Sequence, residues 1–209
     1  MFRNVLLSTA VLTVLSAMPA AATTDHNVQW SNATANGNGC PAGTAVVTIT
    51  PDGDEIAWTF DSFGFDLVGP SSASRFCRIS ASAKLSGGYY LGDLKQELTY
   101  GGIKSTVGSR LSVGAQSRFF GYNLPPMVRD YPDGKAFDSL FESAVAVNSF
   151  VVHAPPSYFC KSGGVSGLFQ STLSANGQVT AANGSASLAV QGQNVTFKAT
   201  SGWVACPPH

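Results

Sequence analysis

The chain has 209 residues in which 12 Lys and Arg balance 12 Asp and Glu, so it lacks the basic excess that nucleic acid or an anionic membrane surface would demand of a partner. Only 11% of its residues are charged while 44% are hydrophobic, the reverse of the high-charge, low-hydrophobicity composition of disordered chains. An ordered fold is expected, with Ser, Thr, Asn, Gln and Gly taking the place of surface charge.

Arg3, the run from Val5 to Ala17 and the small-residue stretch Ala20, Ala21, Ala22 have the basic start, short apolar core and A-x-A site of a secretory signal peptide, and the run falls short of the roughly 20 apolar residues of a membrane span. Cleavage is expected after Ala22, making residues 1–22 a signal peptide and 23–209 a single secreted β-rich domain, extracellular or in the periplasm or cell envelope. Loss of Arg3 leaves 11 basic residues against 12 acidic ones. No later stretch is long and apolar enough for a membrane span, and the ending Cys206, Pro207, Pro208, His209 lacks an anchor tail.

In chain order, Val47 and Ile49 alternate with Thr48 and Thr50, a Pro51, Asp52, Gly53, Asp54 turn follows, and Ile56, Trp58 and Phe60 alternate in turn. This predicts a β-hairpin over Ala45 to Phe60. Period two returns at Ile79, Ala81, Ala83 and Leu85, and again at Leu111, Val113 and Ala115; Leu94, Leu98 and Tyr100 fit one strand face opposite Lys95, Glu97 and Thr99.

The segment Asn123 to Gly134, with Pro125, Pro126 and Pro132, reads as the clearest long loop and the first place to look for binding. Phe137, Leu140, Phe141, Ala144 and Val145 match the i, i+3, i+4 template, which predicts one short helix near residues 135–143 before the β-branched run Val145 to Val152. Turn signals at Asn176 and Gly177, Asn183 and Gly184, and Gly192 to Asn194 suggest that the C-terminal third is an antiparallel meander. Dominant period two with one short helix predicts an all-β fold, an antiparallel two-sheet β-sandwich.

Cys40, Cys77, Cys160 and Cys206 in an exported chain favour two disulfides over a metal site, which wants close C-x-x-C spacing or neighbouring histidines. Pairing Cys40 with Cys77 and Cys160 with Cys206 staples the two halves separately. Loop entropy does not separate the three connectivities, since those closures contribute roughly 4 kcal/mol each against roughly 5 for a loop three times longer.

The succession Gly37, Asn38, Gly39, Cys40, Pro41, Ala42, Gly43, the strand Val46 to Thr50, the turn Pro51, Asp52, Gly53 and the strand ending Phe60, Asp61, Ser62, Phe63 resembles the opening of a secreted family catalogued as domain of unknown function 4360. Arg75, Phe76, Cys77 resembles its second cysteine, and Cys160 with Cys206 its C-terminal pair. The resemblance is strongest over residues 37–85. It implies a small secreted β-rich domain with disulfides at the four cysteines and carries over no catalytic residue.

The candidate chemistry is sparse. Asp52, Asp54, Glu55 and Asp61 have oxygen ligands for calcium but not the spacing of an EF-hand, and Asp and Gly favour this turn for conformational reasons alone. Asp130, Asp133 and Glu142 include a conceivable glycosidase pair, which would need two carboxyls across a sugar-sized cleft. His153 has no accompanying G-x-S-x-G elbow, since the run Gly164, Val165, Ser166, Gly167 has the wrong spacing; His26 and His209 sit near the ends. Sequons begin at Asn32, Asn183 and Asn194.

The aromatics Trp30, Trp58, Trp203, Tyr89, Tyr90, Phe119, Phe120 and Tyr122 suggest a carbohydrate platform, against which Trp58 shares a face with Ile56 and Phe60 and reads as core. Adjacent pairs such as Phe119 and Phe120 put one ring on each face of a sheet. The leading expectation is a non-enzymatic binding or interaction module for carbohydrate or a cell surface, with Tyr122, Asp130, Tyr131 and Asp133 as candidate binding residues and no catalytic residue, metal or cofactor. Alternatives are a secreted polysaccharide hydrolase and a protein-binding effector or inhibitor whose 123–134 loop enters a partner.

Overall fold

The computed structural model describes residues 28–133, 137–149, 156–197 and 203–207. Successive side chains leave a strand on opposite faces, so the alternating runs generate sheets with one apolar and one polar side. In chain order these are β1 (Val28–Asn36), β2 (Ala45–Ile49), β3 (Glu55–Val68), β4 (Ser71–Leu85), β5 (Tyr89–Leu91), β6 (Asp93–Ser105), β7 (Ser109–Phe119), β8 (Tyr122–Asn123), β9 (Met127–Tyr131) and β10 (Phe137–Ser149). The helix α1 (Pro156–Phe159), β11 (Val165–Val179), β12 (Ser185–Phe197) and β13 (Trp203–Ala205) follow.

The first sheet has the order β1-β4-β11-β7, with β8 and β9 both on the far side of β7; the second has the order β10-β6-β12-β3-β2, and β5 pairs with β13 in a separate ribbon. The pairings are antiparallel. An antiparallel two-sheet β-sandwich results. Along the chain, direct steps between the two main sheets fall between β1 and β2, β3 and β4, β6 and β7, β9 and β10, β10 and β11, and β11 and β12.

The apolar phases of both sheets meet in one core. Trp58 of β3 stacks on Phe169 of β11 with ring centroids 5.7 Å apart, and both are fully buried, a burial that contributes about 3 kcal/mol for each such side chain. Polar side chains also cross the interior. Gln193 Nε2 donates to Gln96 Oε1 at 3.4 Å and to Ser117 Oγ at 3.3 Å, and Ser117 donates to Ser171 at 2.8 Å, so this buried chain of hydrogen bonds links β12 and β6 in one sheet to β7 and β11 in the other.

The Ala45 to Phe60 hairpin forms as predicted, with Val47 opposite Trp58 and Ile49 opposite Ile56. Leu94, Leu98 and Tyr100 share the buried face of β6. Both disulfides form as Cys40–Cys77 and Cys160–Cys206, with Cα atoms 5.4 and 5.6 Å apart; the first ties the segment after β1 to β4 and the second ties the end of α1 to the end of β13.

Several expectations are overturned. The helix predicted near residues 135–143 is strand β10 in its described part, because full-length pairing from Phe137–Ser105 to Ser149–Asp93 outweighs a helical spacing of apolar residues; the helix observed is α1, later in the chain. Within the predicted 123–134 loop, Asn123 ends β8 and Met127–Tyr131 is β9, both edge strands on β7, with non-strand chain at 124–126 between them.

The C-terminal meander is replaced by two long strands in different sheets. Asn176 and Gly177 lie within β11, where a Cβ on Gly177 would strike the Phe65 ring of the opposite sheet, so this glycine serves close sheet packing, not a turn. Gly192 marks a register shift within β12, whereas Asn183 and Gly184 do turn the chain.

Phe119 and Phe120 are both buried, because Phe120 leaves the strand with φ 49° and Gly121 follows with φ 86°, the two positive values of a two-residue hairpin turn that Phe119 and Tyr122 close. His26, His153, His209 and the expected signal peptide lie outside the described residues.

The disulfide loops give a stability expectation. Replacing Cys40 and Cys77 by Ser opens a link spanning 37 residues and is expected to cost about 4 kcal/mol, read as a lower urea midpoint against the oxidised parent.

Candidate functional site

The polar phase of β4, β11, β7 and β9 forms the outer face of the first sheet. Register sets its side chains in rows across the strands: Arg110, Gln178 and Ser72; Asp130, Ser112, Asn176 and Ser74; Val128, Gly114, Ser174 and Phe76; Gln116, Thr172 and Arg78; Arg118, Gln170 and Ser80. Two depressions occupy this face. One, of about 630 Å³, is lined by Ser72, Arg110, Ser112, Asp130, Asn176 and Gln178 among others, and one of about 540 Å³ by Arg78, Gln116, Arg118, Asn123, Gln170 and Thr172 among others.

The row between them is low. A Cβ on Gly114 would lie 2.7 Å from the Met127 carbonyl oxygen of β9, so no larger residue fits there, and Ser174 is small. The ends of this row are apolar and exposed, Val128 at 57% and Phe76 at 44%. Within the row beside it, Asn176 accepts from Ser74 Oγ at 2.7 Å and donates to Ser112 Oγ at 3.3 Å, which fixes the orientation of its amide.

The four predicted binding residues go to different places. Asp130 faces outward beside Ser112 and lines the first depression. Tyr131, the next residue, turns its ring between the sheets, where its hydroxyl donates to Glu142 Oε2 of β10. Tyr100 donates to the same oxygen at 3.4 Å, and the two phenol oxygens lie 3.5 Å apart.

Asp133 accepts the Gly108 N–H at 2.8 Å and so holds the turn between β6 and β7. Tyr122 is half-buried, edge-on to Tyr158 at 6.3 Å, next to Asn123 of the second depression. Asp130 and Glu142 are thereby on opposite sides of β9, and the three acids do not converge on one cleft.

Asp52 and Asp54 lie in the turn between β2 and β3. Asp52 accepts the Asp54 N–H at 3.1 Å and the Gly53 carbonyl accepts from Trp30 Nε1 at 2.8 Å, a turn docked on the sandwich. Among the described residues no group of three or more His, Cys, Asp and Glu is placed to hold a metal. Asn32 and Asn183 are exposed and Asn194 half-buried.

Phe76, Arg78, Arg110, Gln116, Arg118 and Gln170 escaped the sequence reading. For Arg110, Gln116 and Arg118 the signal was present, since they hold the alternate positions of the strand whose apolar phase is Leu111, Val113 and Ala115.

The chain belongs to the family described as domain of unknown function (DUF4360), whose model matches residues 26–206. No curated protein matches it. Among solved structures it is similar to TmCBM61 in complex with β-1,4-galactotriose, at 10% identity over 78% of this chain and 88% of that one with a TM-score of 0.30. It is also similar to the mannan-recognising carbohydrate-binding module TmCBM27, at 9% identity over 82% of this chain and 90% of that one with a TM-score of 0.30. A third likeness, to the enzymatically active domain of bacteriophage CBA120 tailspike protein 4, has 11% identity over 81% of this chain and 19% of that one, with a TM-score of 0.21. At these scores none of the three carries weight for function.

The two phenols at the seam make a pH prediction. Burial first, then the hydrogen bond to Glu142, pushes the Tyr131 phenol far above its ordinary value of 10.0; burial also raises Tyr100, reinforced by the nearby Glu142 charge and partly offset by the Tyr131 hydroxyl. The folded state then keeps protons that the unfolded state releases above about pH 10, so the stabilisation is complete below that pH and declines as pH rises beyond it. Unfolding midpoints measured across this range should fall at alkaline pH. Tyr131→Phe should flatten that fall while costing about 1–2 kcal/mol at neutral pH through the lost hydrogen bond.

Proposed function

We propose that the protein is an exported, non-enzymatic carbohydrate-binding module whose ligand lies along the outer face of the first sheet. The observation that carries this reading is the continuous polar face with its two depressions on either side of the low Gly114 and Ser174 row. Amide and hydroxyl side chains offer donors and acceptors together, the pairing that sugar hydroxyls require, and Phe76 adds an exposed ring for the C–H side of a pyranose. A concave site with a few convergent polar groups is the usual form of a small-ligand site.

The hydrolase alternative requires two carboxyls facing each other across a cleft, and β9 separates Asp130 from Glu142. Export is supported by the leader-like N-terminus and by the two disulfides, which persist in oxidising compartments. Among the described residues no helix is long and apolar enough to cross a membrane.

Depletion from solution by insoluble polysaccharides and cell walls, with the supernatant assayed for released sugar, tests the proposal. Retention without release is expected. The double variant Gln116→Ala, Gln170→Ala should bind about tenfold more weakly, as expected for the loss of roughly 1.4 kcal/mol of hydrogen bonding, with its thermal midpoint unchanged. Sugar release would overturn the non-enzymatic reading, and absence of retention across the panel would overturn the carbohydrate reading.

A further inference from the structure

Charge is unevenly divided between the two outer faces of the sandwich. On the first sheet Arg78, Lys84, Arg110 and Arg118 point outward with Asp130 as their acidic neighbour. On the second sheet the outward side of β3, β6 and β10 carries Asp66, Asp93, Glu97 and Asp138 with Lys95 and Lys104. The chain as a whole is balanced, so its neutrality conceals a cationic face and an acidic one.

Among the described residues these arginines make no ion pair. The ion pair among the described residues is Lys95 with Glu97, at 2.8 Å on the other sheet, and the Arg118 guanidinium makes only a 3.4 Å contact with the Gly121 carbonyl. A guanidinium remains charged at any physiological pH and its planar fork matches carboxylate and sulfate oxygens. Three of them, against Asp130 and Asp133 beside Arg110 and otherwise neutral Gln, Asn, Ser and Thr, define a site that favours an anion.

Their spacing decides what kind of anion. Arg110 and Arg118 are eight residues apart on β7, about 27 Å at the rise of an antiparallel strand, one in each depression. Arg78 stands in the second depression on β4, across β11 from Gln116. A single small anion meets only one end of this array, whereas a polymer with recurring acidic groups meets both.

We infer that the ligand is an anionic polysaccharide, its acidic groups held by Arg110 at one end and by Arg118 and Arg78 at the other, with neutral sugar passing over Gly114 and Ser174 beside Phe76. This deepens the carbohydrate-binding reading and rests on it.

Affinity electrophoresis of the full chain through gels containing polygalacturonate, its methyl ester, dextran sulfate, dextran or polyglutamate tests the inference. Retardation by polygalacturonate or dextran sulfate is expected, weakening with added salt, and the polymer that retards distinguishes carboxylate from sulfate. The triple variant R78Q/R110Q/R118Q should bind at least about tenfold more weakly with an unchanged unfolding midpoint, D130N should bind more tightly, and K104Q on the opposite face should match the parent. Equal retardation by dextran or the methyl ester with the triple variant unaffected would overturn the inference and leave the carbohydrate module standing. Polyglutamate retarding as well as the acidic polysaccharides would also overturn it, reducing the face to a general cation patch. Failure with every polysaccharide would overturn both readings.

Discussion

The contact between the inner faces of the two sheets, centred on Trp58 against Phe169, is the constraint from which the other features follow. Once those rings are buried, the phase of β3 and β11 is set, and a strand shifted by one residue would turn its whole apolar set to water. Pairing then passes the phase from β11 to β4 and β7. The outer side of the same three strands must carry whatever the alternate positions hold, so the polar rows of the candidate site and the apolar core are two consequences of one register.

The open side of the sandwich is closed differently. There β9 and β10 are the facing edges of the two sheets, and Tyr131 reaches from one to Glu142 on the other, with Tyr100 as second donor. A carboxylate held by two phenols replaces the apolar contact that the interior uses, and it takes Glu142 away from Asp130. Elsewhere covalent ties do similar work: Cys40–Cys77 holds the segment after β1 to β4, and Cys160–Cys206 holds the β5 and β13 ribbon beside α1.

The resulting molecule has a polar, weakly charged surface whose charges are nonetheless sorted by face. Few cations are needed to make one face distinctive when little else nearby is charged, because opposing carboxylates are scarce and, among the described residues, no guanidinium group is in an ion pair. The same scarcity leaves amide and hydroxyl groups as the main polar chemistry of that face. On the proposed reading, such a face would select its ligand through many modest contacts along its length.

The Ala45 to Phe60 hairpin, the buried face of Leu94, Leu98 and Tyr100, the strand from Ile79 to Leu85 and the family were all legible in the amino-acid order, because alternation and local turn chemistry are properties of neighbouring residues. The helical spacing of Phe137, Leu140 and Phe141 misled, since pairing with β6 is a long-range interaction with no local signature. Gly177 misled for a related reason: its role is to admit the Phe65 ring from a strand more than a hundred residues earlier. Individually, Arg78, Gln116, Gln170 and Arg118 look like ordinary polar positions in alternating runs. The sequence by itself determined an all-β chain, its cysteine framework and which residues alternate; tertiary structure alone decided which strands became neighbours, and hence which polar side chains share a face, because register between distant strands is set by the packing of their buried sides.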